Sequence, residues 1–310
     1  MNVKQNLEKK ALIIINPQAG KSFLKLAFIE RWFASSYAYR YQSKKTLQQC
    51  IQVQLESHGI QSQIKHYNSQ QALNTLINQA QKKYDLLIAV GGDGTINDVI
   101  QKMVGKTLPL GIIPAGSANV LAHALDVSFD IKKACQRIAL FKPKAMDVGS
   151  VNDRYFTCMA GIGFDAYVVY ALNKRLKKLI GPLAYGLALL KALFSFKFDT
   201  FTMKLADKNI SASSFIFHNC AQYGGKKELA KQANVFNQSL TISCFKTNTA
   251  FTFLKAIIHL LKGRSSNLLV QVNTSKIGYV KQKSHLQVDG EYLGYDEATI
   301  KIHKKALWIL

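Results

Sequence analysis

Acidic residues are scarce in this sequence: 18 Asp and Glu stand against 41 Lys and Arg, a formal net charge of +23 over 310 residues. A field of that sign draws polyanions, namely nucleotides, nucleic acid or an anionic membrane surface, and does not choose among them. Cysteine is sparse too. Cys50, Cys135, Cys158, Cys220 and Cys244 are widely spaced, with no CxxC pair and no histidine cluster beside them. That pattern suggests neither a disulfide framework nor a zinc site, and buried thiols in a reducing cytosol are expected. The polar start, MNVKQNLEKK, lacks the apolar core of a signal peptide. Long hydrophobic runs are missing as well. The most apolar stretch, Leu179–Leu190 between Lys177-Lys178 and Lys191, is about a dozen residues where a bilayer takes about 20. A soluble or at most peripheral protein is expected. No internal repeat and no low-complexity tract is present, so disorder is not indicated. The apolar fraction of 48% supports real cores, and the length suits two domains.

What the sequence does contain is a phosphate-binding pattern. Residues 87–98 read LIAVGGDGTIND. Leu86 to Val90 has the continuous apolar character of a strand buried on both faces. Gly91-Gly92-Asp93-Gly94 follows, where glycines permit positive φ and let a bulky anion come close. Thr95, Ile96, Asn97 and Asp98 then begin a helix whose free N–H groups would face that anion.

The pattern has neighbours. Ala11–Ile15 reads as a first buried strand, ended by Asn16, Pro17, Gln18, Ala19 and Gly20. Gly20-Lys21-Ser22 is not a Walker A loop, because Ile15 stands where that motif needs glycine. Phe23 to about His58 has helical spacing, Gly59 to His66 reads as a strand and Ser69–Lys83 as a helix. Leu110–Ile113 is a fourth strand, ended by Pro114–Asn119 and another helix. In that loop Gly116 offers a permissive backbone, Ser117 a hydroxyl, and Asn119 a hydrogen bond to a neighbouring loop. This alternation predicts a Rossmann-like parallel sheet with crossover helices, and ligands in such sheets sit at the carboxyl ends of the strands. All three loops lie there.

Beyond Asp147 the grammar changes to short alternating segments, such as Tyr155–Met159, Phe215–Cys220, Leu240–Phe245, Leu268–Val272 and Lys276–Val280. Helical stretches at about 165–197 and 249–262 interrupt them. The expected organisation is an α/β domain over 1–147, to which the tail 296–310 returns, and a mostly β sandwich domain over 148–295. An active site between the two is expected. Val288-Asp289-Gly290-Glu291 has two carboxylates around a glycine, which by itself suits a tight turn between strands. The lysine-bearing apolar helices at Lys174–Lys197 and Phe251–Arg264 read either as core packing with a solvated face or as membrane-contact elements.

Taken in order, these motifs resemble the diacylglycerol kinase catalytic-domain family, which includes bacterial lipid kinases and sphingosine kinases. The resemblance runs over nearly the whole chain. Asn16-Pro17 through Gly20 is similar to the family's first nucleotide loop, Gly91–Asn97 to its central GGDGTxN, and LGIIPAGSAN (Leu110–Asn119) to its PxGTxN segment with Ser117 for threonine. Asp147-Val148-Gly149 followed by Tyr155-Phe156 and Ala160–Asp165 resembles its interdomain crossing, and HLQVDGEYLG (His285–Gly294) the segment that holds its catalytic acid.

The resemblance implies an α/β and β-sandwich fold of the NAD kinase and diacylglycerol kinase type, and ATP-dependent phosphorylation of a lipid hydroxyl. Asn16–Gly20, Gly91–Asn97 and Ser117 would hold ATP. Glu291 would take the acceptor's proton, with Asp289 as helper or as the base itself. Mg²⁺ would bridge the phosphates, with Asp93 and Asp147 as partners, directly or through water. The implied setting is the inner face of an anionic membrane, with no specific nucleic acid partner and the homodimer left open. Two departures stand out. Val120 replaces an acidic residue common in bacterial members, and Ala233–Gln238 lacks the carboxylates of their structural Mg²⁺ site, so that metal is not expected. The longer Phe23–Cys50 region would form an aromatic and basic membrane-facing flap. The competing readings are a soluble-nucleotide kinase of the NAD kinase type and a degenerate relative that binds lipid or nucleic acid.

Overall fold

A computed structural model describes residues 9–16, 44–172, 183–206, 208–262 and 267–310. The chain divides into two compact units, Met1–Met146 with Ala306–Leu310, and Asp147–Lys305.

The first unit is a parallel α/β layer. Strands β1 (Lys9–Ile15), β2 (Ile60–His66), β3 (Leu86–Gly91) and β4 (Leu110–Pro114) alternate with α1 (Lys44–Glu56), α2 (Gln70–Lys83) and α3 (Asp93–Met103), and α4 (Val120–Ala124) and α5 (Ile131–Ala139) follow. Every residue of β3 and β4 is buried, as continuous apolar runs between two helix layers require. The order is β2-β1-β3-β4, all parallel, and Ile309 pairs with Leu110 beyond β4. From β1 the chain crosses to β2 on one side and returns to β3 on the other. The helices accordingly cover both faces, α1 packing on α5 and α2 on α3. That reversal is a topological switch point, and it places a crevice at the carboxyl ends of β1 and β3. Asn16 and Gly91 sit there.

The expected helix over Phe23–His58 is met only by α1, residues 17–43 lying outside the described residues. Helix α3 starts at Asp93, two residues before the expected Thr95, because the extended Gly92 (φ −87°, ψ −176°) serves as its N-cap.

The second unit is mostly antiparallel β. It contains β5 (Lys144–Val151, of which residues from Asp147 belong here), β6 (Arg154–Phe156), β7 (Met159–Gly163), β8 (Phe201–Leu205), β9 (Lys208–Ala212), β10 (Ser214–His218), β11 (Leu240–Phe245), β12 (Leu269–Thr274), β13 (Gly278–Val288) and β14 (Glu291–Ile309, whose last residues belong to the first unit). The path is β12-β11-β10-β7-β13-β14, with β8 joining β9 to β13 and β5 joining β6 to β14. Strand β8 alternates as the two-residue period demands: Phe201, Met203 and Leu205 enter the core while Thr202 and Lys204 face out. The helices are α6 (Phe164–Ala171), α7 (Leu183–Ser195) and α8 (Ala250–Leu261). The single helical stretch expected over 165–197 is met by α6 and α7, residues 173–182 lying outside the described residues. Among the described residues no helix is long and apolar enough to cross a membrane.

Candidate active site

In the first unit the geometry is made by main chain. At Gly91 an added Cβ would lie 2.6 Å from the Thr95 Cβ, and at Gly92 3.0 Å from the Gly116 Cα. At Gly116 a Cβ would meet the Gly92 Cα at 2.4 Å. The loop after β3 therefore touches the loop after β4, backbone against backbone. None of Gly91, Gly92, Gly94 and Gly116 has positive φ, so the expectation of left-handed glycines is corrected. Close approach is what excludes a side chain at Gly91, Gly92 and Gly116, not a special dihedral, whereas a Cβ at Gly94 would meet nothing within 4 Å. The amide of Ala115 donates to the Gly91 carbonyl (2.8 Å), which pins the two loops further.

Asp93 opens the first turn of α3, and its Oδ1 accepts the Val120 N–H at 2.6 Å. The carboxylate thus anchors the start of α4. Asn119 does not reach a neighbouring loop as expected. It closes its own: its Oδ1 accepts the Gly116 N–H (3.0 Å) and its Nδ2 donates to the Gly116 carbonyl (2.6 Å), with φ +43°. Asparagine tolerates that left-handed backbone better than most residues. Ser117, on the same loop, is exposed. Thr95, Ile96 and Asn97 are buried, and Asn97 Oδ1 accepts from Gln101 Nε2 (2.6 Å). Gly94 is exposed.

At the end of β1, Asn16 Nδ2 donates to the Tyr67 hydroxyl (3.4 Å), which donates to Asp98 Oδ2 (3.2 Å), and Gln70 Nε2 donates to Asp98 Oδ1 (2.7 Å). Burial, and then the Asp98 carboxylate, push the Tyr67 phenol well above its ordinary range. Tyr67 and its link to Asp98 are not legible in the sequence, because they join residues 51 and 31 positions apart. Pro17, Gln18, Ala19 and Gly20 lie outside the described residues.

In the second unit the geometry is made by carboxylates. Val288 pairs with Glu291 across Asp289-Gly290, and both turn residues have positive φ (45° and 79°). This is the two-residue hairpin turn that Asp-Gly favours. Asp289 Oδ1 accepts the N–H groups of Cys158 and Met159 (each 2.9 Å). Its Oδ2 accepts the Thr157 N–H (2.8 Å) and hydroxyl (3.1 Å). These bonds divide the strand expected over Tyr155–Met159 into β6 and β7, since the amides at the break go to Asp289. Burial raises the Asp289 carboxyl above its usual range, opposed by those same hydrogen bonds. Glu291 is exposed and pairs with Arg154 at 2.6 Å. Arg154 was missed from sequence, lying 137 residues away.

Behind the turn, the Gly290 N–H donates to Gln287 Oε1 (2.9 Å), and Gln287 Nε2 to Asp165 Oδ2 (2.5 Å). The Tyr223 hydroxyl donates to Asp165 Oδ1. A Cβ at Gly161 would lie 1.9 Å from Asp165 Oδ2, so the carboxylate takes the room that glycine leaves. Burial raises the Asp165 carboxyl, with the Tyr223 and Gln287 bonds opposing. Asp147 is fully buried: Oδ1 accepts the Lys305 N–H (2.8 Å) and Oδ2 the Gln238 N–H (2.6 Å). Residues 234–239 close on themselves, Phe236 N–H to Asn234 Oδ1 (2.9 Å) and Ser239 N–H to Asn237 Oδ1 (3.3 Å). Among the described residues no three His, Cys, Asp or Glu side chains cluster as metal ligands.

The comparisons with known proteins divide at nearly the same place as the fold. A model described as the diacylglycerol kinase catalytic domain matches residues 33–151, and one described as the YegS C-terminal NAD kinase beta sandwich-like domain matches 158–310. A protein named diacylglycerol kinase from Bacillus subtilis (strain 168) is 27% identical over 296 residues, 92% of this chain and 91% of its own length. One of the same name from Staphylococcus carnosus (strain TM300) is 31% identical over 184 residues, 58% of this chain and 53% of its own length. The crystal structure of a candidate diacylglycerol kinase from Bacillus anthracis (strain Sterne) has a TM-score of 0.75 at 20% identity, covering 100% of this chain and 97% of that one. A further diacylglycerol kinase structure from the same strain has a TM-score of 0.69 at 18% identity, over 97% and 96% of the two chains. At those identities the likeness speaks for the fold.

Proposed function

Because the chain belongs to the diacylglycerol kinase catalytic-domain family, we propose that it is an ATP-dependent lipid kinase, transferring the γ-phosphoryl group to a lipid hydroxyl such as that of diacylglycerol. The observation that carries this reading is the contact of Gly92 with Gly116 beside the α3 N-terminus, at the switch point of the sheet. It sets two positions without side chains beside the first turn of α3, which fits a polyphosphate.

The nucleotide residues of this proposal are Asn16, Pro17, Gln18, Ala19, Gly20, Gly91–Asn97 and Ser117. Phosphoryl transfer depends mainly on positioning and charge neutralisation, and this chain gives the first through fixed amides. Mg²⁺, when bound, would neutralise the phosphates. Asp93 fits it as a single carboxylate partner, directly or through water, because Mg²⁺ takes most of its other ligands from phosphate and water. Asp147 is buried and spends both oxygens on main-chain amides, so we assign it a structural role in place of metal binding.

Glu291 is the proposed proton acceptor and Asp289 the residue that positions its turn. Asp289 accepts four donors from Thr157–Met159, which fills the lone pairs of a carboxylate. Glu291 carries a single exposed ion pair, and such pairs exchange cheaply. The setting we propose is the cytoplasmic face of an anionic membrane.

The test incubates purified protein with γ-labelled ATP, Mg²⁺ and a total lipid extract, and identifies any labelled lipid. Glu291→Gln should lower turnover by about 10²–10⁴-fold with ATP affinity unchanged. Asp289→Asn should mainly lower the melting temperature. Full activity in Glu291→Gln, with turnover lost in a normally folded Asp289→Asn, would exchange the two roles. No labelled lipid from any fraction would refute the function.

A further inference from the structure

Among the described residues, helices α7 and α8 carry the same pattern of exposed apolar side chains. In α7, Leu187, Leu190 and Phe194 are exposed, with Lys191 beside them; in α8 it is Phe251, Leu254 and Ile258, with Lys255. Both sets follow i, i+3, i+7 with the lysine at i+4, so each forms one stripe on its helix. Phe194 is 91% exposed and Phe251 76%. Neither stripe is the core face. Among the described residues, Ala184, Ala188 and Ala192 of α7 and Phe253 and Ala256 of α8 are buried, and Ala192, Phe253 and Ala256 join one cluster with Phe164 and Phe245. Each helix thus packs through one side and leaves large apolar groups in water on another.

We infer that these two stripes are a docking surface for an anionic lipid bilayer. The inference rests on the lipid-kinase reading above and supplies the surface by which the chain would meet its substrate's membrane. Charge selects the occupant. Neither helix contains Asp or Glu. Lys191, Lys197, Lys255 and Lys262 are exposed on or just after the helices, within a chain of net charge +23. Apolar side chains flanked by lysines are the composition of a helix lying in the plane of a bilayer interface. At 13 and 12 residues the helices are too short to cross one. A second copy of this chain would set lysine against lysine.

Flotation of the full chain with phosphatidylcholine vesicles, with and without phosphatidylglycerol, reads docking without turnover. The triple variants L187Q/L190Q/F194Q and F251Q/L254Q/I258Q should each weaken binding to the anionic vesicles at least about tenfold. K191Q/K255Q/K262Q should remove the preference for phosphatidylglycerol. Should a triple variant fail to fold, Phe194→Gln and Phe251→Gln are read in the same assay and should each lose binding several-fold. Wild-type affinity in the folded apolar variants overturns the inference. So does a concentration-dependent dimer in sedimentation velocity that the same substitutions abolish, which would assign the stripes to a second copy. A chain that docks through the stripes yet phosphorylates no lipid refutes the acceptor reading alone. One that phosphorylates a dispersed short-chain lipid while the variants float normally refutes the docking alone.

Discussion

The two units build their candidate sites from different materials. In the first, glycine and main-chain amides do most of the shaping, and burial pushes the Tyr67 phenol and the Cys135 thiol up. In the second, buried side chains do it: Asp147, Asp165 and Asp289 each fasten segments far apart in sequence, and His218 lies fully buried beside Ser243. A site shaped by close-packed glycine main chain should respond to an added methyl group more than to pH. One made of buried carboxylates and imidazole should do the reverse.

The largest expected effect concerns His218. Burial lowers its pKa to about 3, so the folded state keeps the ring neutral while the unfolded chain protonates near pH 6.5. The stability it holds is complete above that value and falls as pH drops toward 3. Between pH 6.5 and 4 the loss should be on the order of 3 kcal/mol. Urea unfolding across that range should show it, and His218→Gln should remove most of it. An equal acid loss in the variant would end this half of the comparison.

Next is Gly116→Ala, which sets a methyl 2.4 Å from the Gly92 Cα. It should destabilise the first unit by about 1–3 kcal/mol and weaken ATP binding on the order of 10- to 100-fold, to the same degree at pH 6 and pH 8. Titration calorimetry at both values checks it. Wild-type affinity would show that the cradle is not where nucleotide rests.

The smallest expected effect is at Asp165. Its carboxyl is raised by burial, so the folded state retains a proton that the unfolded chain releases near pH 4. The sign is therefore opposite to that of His218: stability is lost as pH rises from about 4 through the raised value. Relative to wild type, Asp165→Asn should gain stability from pH 4 to pH 7 in urea titrations. A difference that stays flat would leave burial without a consequence at this carboxylate.

Legibility in the sequence followed the same division. The cradle is local: an apolar run, three glycines and a helix start occupy residues 86–98, and the Asp289-Gly290 turn is local too. Both could be read from adjacent residues. The carboxylate fastenings could not, because Asp147 reaches Gln238 and Lys305, and Glu291 reaches Arg154, over separations of 91, 158 and 137 residues. Periodicity misled where a distant group captured backbone, as at Thr157–Cys158, whose amides turn to Asp289 instead of continuing a strand. The glycine dihedrals were also unreadable, since sequence tells that a side chain is excluded and not whether strain or crowding excludes it.

The most direct test of the central claim is the amide spectrum of protein labelled with ¹⁵N-glycine, recorded while ATP is added. Of the 19 glycines, the account predicts that Gly91, Gly92, Gly94 and Gly116 shift together and saturate at one affinity, and that Gly116→Ala weakens the whole response. Saturating ATP that leaves those four amides unmoved would contradict it.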